Sequence, residues 1–441
     1  MSERACDPAL PPLAWADEQR LLGVGVRLRR QGDVPRRHGS ALCAATAALH
    51  EGVRGPAARH VRERLAALRR RLWRAPAWCE RLRASGASPE DLRSLEDLRH
   101  LPPLERDDYA PRWQDFTDLD GDPELHVATS SGSTGQALLC LRSGYDGVHM
   151  WAVLRFWIER LAVDLPRRPR LVLLDTLPGG LEYSVRAPQL DGGVLHRLST
   201  LRPGPIERLR RARPAILSSD PAGLHWLLGP CAGGAAGLAP RLLLSSAQRL
   251  SSALRQAVAT RFPAPLIDYY AVTEVGPIAW SCPLDGRRFH VLHPDVWVES
   301  EAGQILVTRL RDSPLALLRY ATGDRGDVED GTCSCGASGR SIVDFTGREA
   351  CAFVTPDGRS VDAWALSWLF KDLPLVRFEL AQVGAEHFQL SLEPHATIDL
   401  VQLTTRLRRV LVRLGFGAPT VEVRREWAGP ASKPRPFRPL T

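Results

Sequence analysis

Four short apolar runs between Arg170 and Tyr270 constrain the fold more than any other stretch. Arg170–Thr176, Ala215–Ser219, Arg241–Ser245 and Pro265–Tyr270 are strand-sized, and helical stretches such as 250–262 (LSSALRQAVATRF) lie between them. Strand–helix alternation predicts an α/β fold of mostly parallel sheets with helices on both faces.

The texture changes twice along the chain. Residues 286–346 are richer in strands and turns and read as a strand-rich subdomain of the same body. From about Gly347 a hairpin pattern (VRFELAQVGAEHFQLSLEP), an amphipathic helix ended by Gly415 and a last strand (TVEVRREW) read as a small α+β unit. At 441 residues more than one domain is expected. The expected division is a loosely held leader over 1–40, a large domain over 41–346 and a small C-terminal domain over 347–441. Near the start, RHVRERLAALRRRLWRA places Val61, Leu65, Leu68 and Leu72 on one helical stripe. Ser88 reads as the N-cap of a further helical stretch that stops at Pro102–Pro103.

The formal net charge is +8, with 58 basic residues against 50 acidic ones. The basic residues are scattered and almost all arginine, so a nucleic-acid partner is not expected from charge alone. Only Lys371 and Lys433 are lysines, and a lysine surviving such a bias invites a functional reason. No apolar run is long enough for a membrane span, and the N-terminus lacks a signal-peptide pattern, so a cytoplasmic protein is expected. Nine cysteines, six of them scattered singly, suit a reducing compartment.

Three motifs stand out for their chemistry. Ser130, Ser131, Gly132, Ser133, Thr134 and Gly135 offer hydroxyls and close backbone approach to a phosphate, although the spacing is not that of a Walker loop. In LIDYYAVTEVG (266–276) a strand runs into Tyr270, Thr273 and Glu274, where an aromatic ring suits a purine and a carboxylate suits Mg²⁺. In LLRYATGDRGDV (317–328), Asp324 reads as a turn carboxylate able to accept the two hydroxyls of a ribose.

The set SSGSTGQ, YYAVTE, RYATGD, FTGRE and a late lysine resembles the adenylate-forming enzymes over roughly residues 60–436. Within them it is most similar to the phenylacetate–CoA ligase and coenzyme F390 synthetase branch, as is the lead-in SLEDLRHLPPLERDDY. The resemblance implies an ATP- and acyl-binding domain with a mobile C-terminal lid. It implies ATP phosphates in the loop 130–135, adenine beside Ser246, Ala247 and Tyr270, and an α-phosphate contact from Thr273. It further implies Mg²⁺ on Glu274, ribose on Asp324, a nucleotide contact from Arg348, and Lys433 as the catalytic lysine. The activity implied is formation of an acyl-adenylate from a carboxylic acid, then transfer to a thiol, coenzyme A first among the candidates. Transfer to a carrier-protein thiol or an amine is the alternative, and a degenerate nucleotide- or nucleic-acid-binding protein is the alternative of another class.

Departures from the pattern are Gln136, Ala137 and Leu138 after the phosphate loop, Ala271 for a glycine, SAQ ending in Gln248 for GGE or SGE, and Glu349, Ala350 and Cys351 in place of the hinge acid. Cys282, His290, Cys333 and Cys335 form a Cys₃His set suited to structural zinc, with His293 a competing ligand and strands 296–310 expected to join the two loops. Trp151, Trp157, Trp226 and Trp280 are candidates to line a pocket for an aryl acid.

Overall fold

In the computed structural model, Leu125–Thr129 (β1) and Leu139–Ser143 (β2) form a two-stranded ribbon. The structure describes residues 39–55, 58–118, 125–129, 139–176, 182–229, 237–248, 250–347, 352–362, 366, 369, 375–394, 398–424, 437–438 and 440. The chain divides into two compact units, Met1–Val127 with Leu141–Gly347, and Ala128–Cys140 with Arg348–Thr441.

The apolar runs of the first unit form the strands expected of them. Arg170–Asp175 (β3), Tyr183–Ala187 (β4), Gly193–Ser199 (β5), Ile216–Ser219 (β6), Leu242–Ser245 (β7) and Leu266–Val272 (β8) build one side of a sheet. β5, β3, β6, β7 and β8 are parallel neighbours in that order, and β4 caps the edge antiparallel to β5. Every residue of β6 and β7 is buried, which is why these strands read as continuous apolar runs rather than as alternation. Val172, Leu174, Leu217 and Leu243 pack against Leu224, Leu227, Val258 and Phe262 from the crossover helices and their ends.

The strand-rich part does not form a separate sheet. β8 turns back into Gly276–Ser281 (β9), and the sheet continues antiparallel through Phe289–Val291 (β10), Val296–Glu301 (β11), Gln304–Arg309 (β12), Tyr320–Thr332 (β13) and Ser338–Gly347 (β14). The result is one twelve-stranded sheet in the order β11-β12-β13-β14-β10-β9-β8-β7-β6-β3-β5-β4. The β8–β9 hairpin is the seam between its parallel and antiparallel halves.

Ahead of the sheet lie helices Gly39–Gly52, Ala58–Trp73 and Pro76–Ala84, with Leu65, Leu68 and Leu72 buried as the stripe requires. Ser88 caps only the 3₁₀ turn Pro89–Asp91, and a second such turn spans Glu96–His100, so the continuous helix expected there is absent. The Asp91 carboxylate accepts the Ser88 N–H at 2.8 Å, and Asp97 accepts from Arg93 and Ser94. Aspartates that bind nearby amides this way compete with helix propagation.

In the second unit, Ala352–Val354 (β15) pairs with Ser360–Asp362 (β16). Leu375–Gly384 (β17), His387–Pro394 (β18), Thr420–Arg424 (β19) and Phe437–Arg438 (β20) form a sheet in the order β19-β18-β17-β20. Helix Leu400–Arg413 buries Leu403, Leu407 and Leu411 against it, and Gly415 follows at φ +106°. Among the described residues no helix is long and apolar enough to cross a membrane.

Candidate active site and metal centre

Val272 pairs with Gly276, so Thr273, Glu274 and Val275 are the turn of the seam hairpin. The Val275 N–H donates to the Val272 carbonyl at 3.2 Å, and Gly276 follows at φ +88°. A side chain at Gly276 would also meet Arg311, whose Nη2 lies 3.2 Å from where a Cβ would sit. The positive φ favours glycine here, and any side chain would in addition press on Arg311.

The turn aims Glu274 inward, and its side chain is 2% exposed. The Tyr320 hydroxyl donates to Glu274 Oε1 at 2.8 Å, and Arg106 Nη1 lies 3.4 Å from the same oxygen. Arg106 arrives through the lead-in segment: the Leu104 N–H donates to the Arg319 carbonyl, and Leu104 accepts from the Ala321 N–H, both at 3.0 Å. A buried carboxylate at a loop beyond the parallel strands is a hard oxygen donor of the kind Mg²⁺ takes.

Tyr270, four residues before Glu274, donates its hydroxyl to Asp324 Oδ2 at 2.6 Å. Its ring centroid lies 4.6 Å from that of Phe345, at 52°. Asp324 is not in a turn, contrary to the sequence reading; it lies within β13. The pairing of β12 with β13 slips between Leu306↔Ala321 and Gln304↔Arg325, so Thr322–Asp324 bulges from the ladder, with Gly323 at φ +80°. Bulges re-aim side chains beside functional sites, and a regular strand would not present this carboxylate to Tyr270.

Ser246 and Ala247 follow β7. The Ser246 hydroxyl donates to the Tyr269 carbonyl at 2.9 Å, tying this loop to the tyrosine pair. Ala247 sits at φ +73°, a left-handed conformation that suits glycine better. Behind it, burial pushes the Asp268 carboxyl up to about 6 despite Arg255 at 3.8 Å. The loop Ser130–Gly135 with Gln136–Leu138, Arg348, the hinge positions 349–351 and Lys433 lie outside the described residues.

Of the four candidate tryptophans, Trp151, Trp157 and Trp280 are buried and Trp226 is partly buried. Trp280 is core, with centroids 5.7 Å from Phe156 and 5.3 Å from His290, and Trp226 packs on the core of the parallel half. Trp157 is also buried, its ring 5.1 Å from Tyr269, and Trp151 is buried as well.

The Cys/His set converges. The four ligand atoms of Cys282, His290, Cys333 and Cys335 lie within 4.8 Å of one another. Cys282 Sγ is 3.6 Å from Cys333 Sγ, and Cys335 Sγ is 3.2 Å from His290 Nε2. Tetrahedral zinc with ordinary bond lengths sets donors about 3.5–3.8 Å apart, so the set fits that ion. His290 Nδ1 is hydrogen-bonded with Ser341 Oγ at 3.1 Å, which fixes the ring and leaves Nε2 toward the sulfurs. Burial, with Arg288 and Arg160 nearby, lowers the His290 ring to about 4, so it is neutral and able to ligate near pH 7. The loops are joined by β10 pairing with β14 and β9, not by 296–310. His293 is not in the set; it lies buried beside Trp297, 5.9 Å away between ring centroids.

Sequence reasoning missed the charged residues under the turn: Arg142, Asp146, Arg309 and Arg311. The signal that existed was local. Ser143 and Asp146 form a capping box at the start of helix Gly144–Arg160, and Arg309 and Arg311 alternate at the end of an apolar strand.

No family model matches the chain. It is 24% identical over 280 residues to the phenylacetate–coenzyme A ligase of Escherichia coli (strain K12), a match covering 58% of this chain and 63% of that relative's length. Two solved structures of 2-hydroxyisobutyryl-CoA ligase align at 16% and 17% identity. One is in the postadenylation state, with TM-score 0.56 over 87% of this chain and 90% of that one. The other is in the thioesterification state, with TM-score 0.57 over 88% and 91%. The chain thus has the fold of the adenylate-forming enzymes, and a phenylacetate–CoA ligase is among its relatives in sequence.

Proposed function

We propose that the chain activates a carboxylic acid with ATP and passes the acyl group to coenzyme A. A carboxylate oxygen attacks the α-phosphorus, the bond from that phosphorus to the bridging oxygen breaks, and pyrophosphate leaves. The coenzyme A thiolate then attacks the acyl carbon, and AMP departs with the bonding electron pair. The observation that carries this reading is the 2.6 Å hydrogen bond from Tyr270 to Asp324. It joins two motifs 54 residues apart, an aromatic ring fit for a purine and a buried carboxylate fit for a ribose diol. The named activities of the relatives support the reading: one is a phenylacetate–coenzyme A ligase, and one solved structure holds an acyl-adenylate and coenzyme A.

In this reading the Asp324 carboxylate exchanges its Tyr270 partner for the ribose hydroxyls, and Tyr270 borders the base. The hydroxyls and amides of 130–135 hold the phosphates, Ser246 and Ala247 flank the adenine, Thr273 contacts the α-phosphate, and Arg348 reaches the nucleotide. Glu274 would hold Mg²⁺, which when bound offsets phosphate charge. Lys433 neutralises the charge that builds on the α-phosphate during attack. The C-terminal unit serves as the lid, with residues 41–346 as the nucleotide- and acyl-binding body. The four-donor Cys/His set holds zinc with no open position and therefore a structural role. The free thiols Cys43 and Cys79, outside the Cys/His set, support a reducing, cytoplasmic setting.

The test is pyrophosphate release with ATP, Mg²⁺ and hydroxylamine as acyl trap, across aryl, aliphatic and amino acids. Release with one acid class, lost in Lys433→Ala, is expected. Silence across the panel, with ATP still bound, would sink the reading.

A further inference from the structure

Three consecutive main-chain carbonyls at the seam turn each accept from a different arginine. Arg142 Nη2 donates to the Thr273 carbonyl at 2.6 Å, Arg309 Nη1 to the Glu274 carbonyl at 3.0 Å, and Arg311 Nη2 to the Val275 carbonyl. The last two come from β12 and the segment after it; the first comes from β2, which follows the Ser/Gly/Thr loop in sequence. Arg309 and Arg311 border one fully buried carboxylate, Asp146, and Arg142 acts on its charge from farther away. Asp146 Oδ1 is 2.8 Å from Arg311 Nε and 4.0 Å from Arg309 Nη1, and Oδ2 accepts from the Ser313 hydroxyl at 2.7 Å. The same Oδ2 accepts the Ser143 N–H at 3.0 Å, so Asp146 also fixes the first turn of helix Gly144–Arg160.

We infer that Asp146 is a positioning residue: through Arg309 and Arg311 it clamps the backbone of Glu274–Val275, beside the Thr273 carbonyl that Arg142 holds, so that the Thr273 and Glu274 side chains are pre-set for the reaction. The inference rests on the proposed adenylation for its catalytic meaning. Two or more guanidiniums buried together repel unless a carboxylate sits between them, and a carboxylate buried alone would give up its charge. Burial does push the Asp146 carboxyl up, yet Arg311, Arg309 and Arg142 outweigh it and hold the group well below the usual carboxylate range. The arrangement is therefore charged as a unit, and its bond directions leave the turn one geometry. Among the described residues Asp146 is held by Arg311, Arg309, Ser313 and Ser143, so its effect on the turn travels through the arginines.

Hydrogen exchange of peptides spanning 268–281 in the full-length chain tests the clamp without needing turnover. Asp146→Asn keeps the shape and removes the charge. Ser313→Ala removes the 2.7 Å donor to Asp146 together with the 2.7 Å acceptor of Arg309 Nη2, keeps the carboxylate, and serves if the first variant does not fold. Glu182→Gln breaks an ion pair with Arg208 (2.6 Å) beside the edge strand β4 and controls for general loss of stability. Exchange at the turn is expected to rise at least about tenfold in Asp146→Asn and less in Ser313→Ala, and to stay within about twofold in Glu182→Gln. In parallel, kcat for pyrophosphate release should fall about 10- to 100-fold in Asp146→Asn, with KM for the acid changed less than about threefold, while Glu182→Gln keeps the wild-type kcat. Unchanged turn exchange in both clamp variants, or an active Asp146→Asn with wild-type kcat, overturns the inference. A wild-type chain that releases no pyrophosphate but shows the exchange response refutes the adenylation reading and leaves the clamp standing.

Discussion

Around Thr273–Val275 the groups are two buried arginines, Arg309 and Arg311, the half-buried Arg142 and the buried carboxylates of Asp146 and Glu274, joined by hydrogen bonds of defined direction. In the C-terminal unit they are Phe353, Phe378, Phe388, Phe416 and Phe437 with leucines from helix Leu400–Arg413. The first kind of interior is expensive to disturb in geometry, because any displaced partner strands a charge in low dielectric. The second is expensive to disturb in volume and forgiving of small shifts, because apolar burial has no preferred direction. A site that must hold two side chains in one pose uses the first, and a small unit that must stay folded on its own core uses the second.

The comparison extends to a third way of holding an interior, metal coordination, where the largest single loss is expected. Cys335→Ser should take zinc from about one ion per chain to near zero by elemental analysis. It should destabilise the first unit more than any core truncation, since structural zinc sites reach about 10 kcal/mol. A chain purified zinc-free and unmoved by this change would remove coordination from the picture. Next in size, Phe388→Ala deletes a ring packed edge-on against Phe353 (5.4 Å) and Phe416 (5.0 Å). A loss of about 3–5 kcal/mol in urea unfolding of the C-terminal unit is expected, with the unfolding of the first unit unchanged. A loss under about 1 kcal/mol would mean that the apolar core tolerates volume change too.

At Asp268 burial outweighs the ion partner Arg255, 3.8 Å away, and this gives a signed pH dependence. Its folded-state pKa of about 6 lies above the ordinary carboxylate value, so the folded state keeps this proton more tightly than the unfolded chain does. Its contribution to stability is fully present below about pH 4 and is lost as pH rises through about 6. Asp268→Asn should therefore be more stable than wild type at pH 7.5 by about 2–3 kcal/mol, with the gap closing by pH 4. A gap that does not vary with pH between those two values rules this out. Smallest, Ala247→Gly relieves the left-handed backbone at φ +73° and should raise stability by about 1 kcal/mol, read as a higher melting temperature. A lower melting temperature would show that the methyl group packs usefully.

Legibility follows the same division. The apolar strands β3, β6, β7 and β8 announce themselves by composition, and the hairpin, helix and last strand of the second unit by periodicity. β4 and β5 escaped the reading: YSVRA and GVLHRLS are only partly buried and lack clean alternation. The continuity of the sheet through the seam, and the bulge that re-aims Asp324, depend on pairing between distant strands, which no local pattern carries. Asp146, Arg309 and Arg311 escaped because a charged residue in a sequence is read first as solvated, and only the fold shows these three 1–2% exposed. The Cys₃His set was readable because ligand chemistry is written in residue type, although His290 and His293 could not be ranked until β10 placed one ring beside the sulfurs and the other beside Trp297.

The seam hairpin also behaves as a joint of fixed length. One residue added between Val272 and Gly276 would slip β9 against β8, and since strand faces alternate residue by residue, it would turn the inward face of β9 outward. Every strand hydrogen-bonded beyond β9 would have to follow or part company. The exposed crossover at 201–204, by contrast, leads from an outer strand into a helix and can lengthen without shifting any pairing. Variation in loop length among chains of this design should therefore collect at the crossovers and spare the turn that carries Thr273 and Glu274.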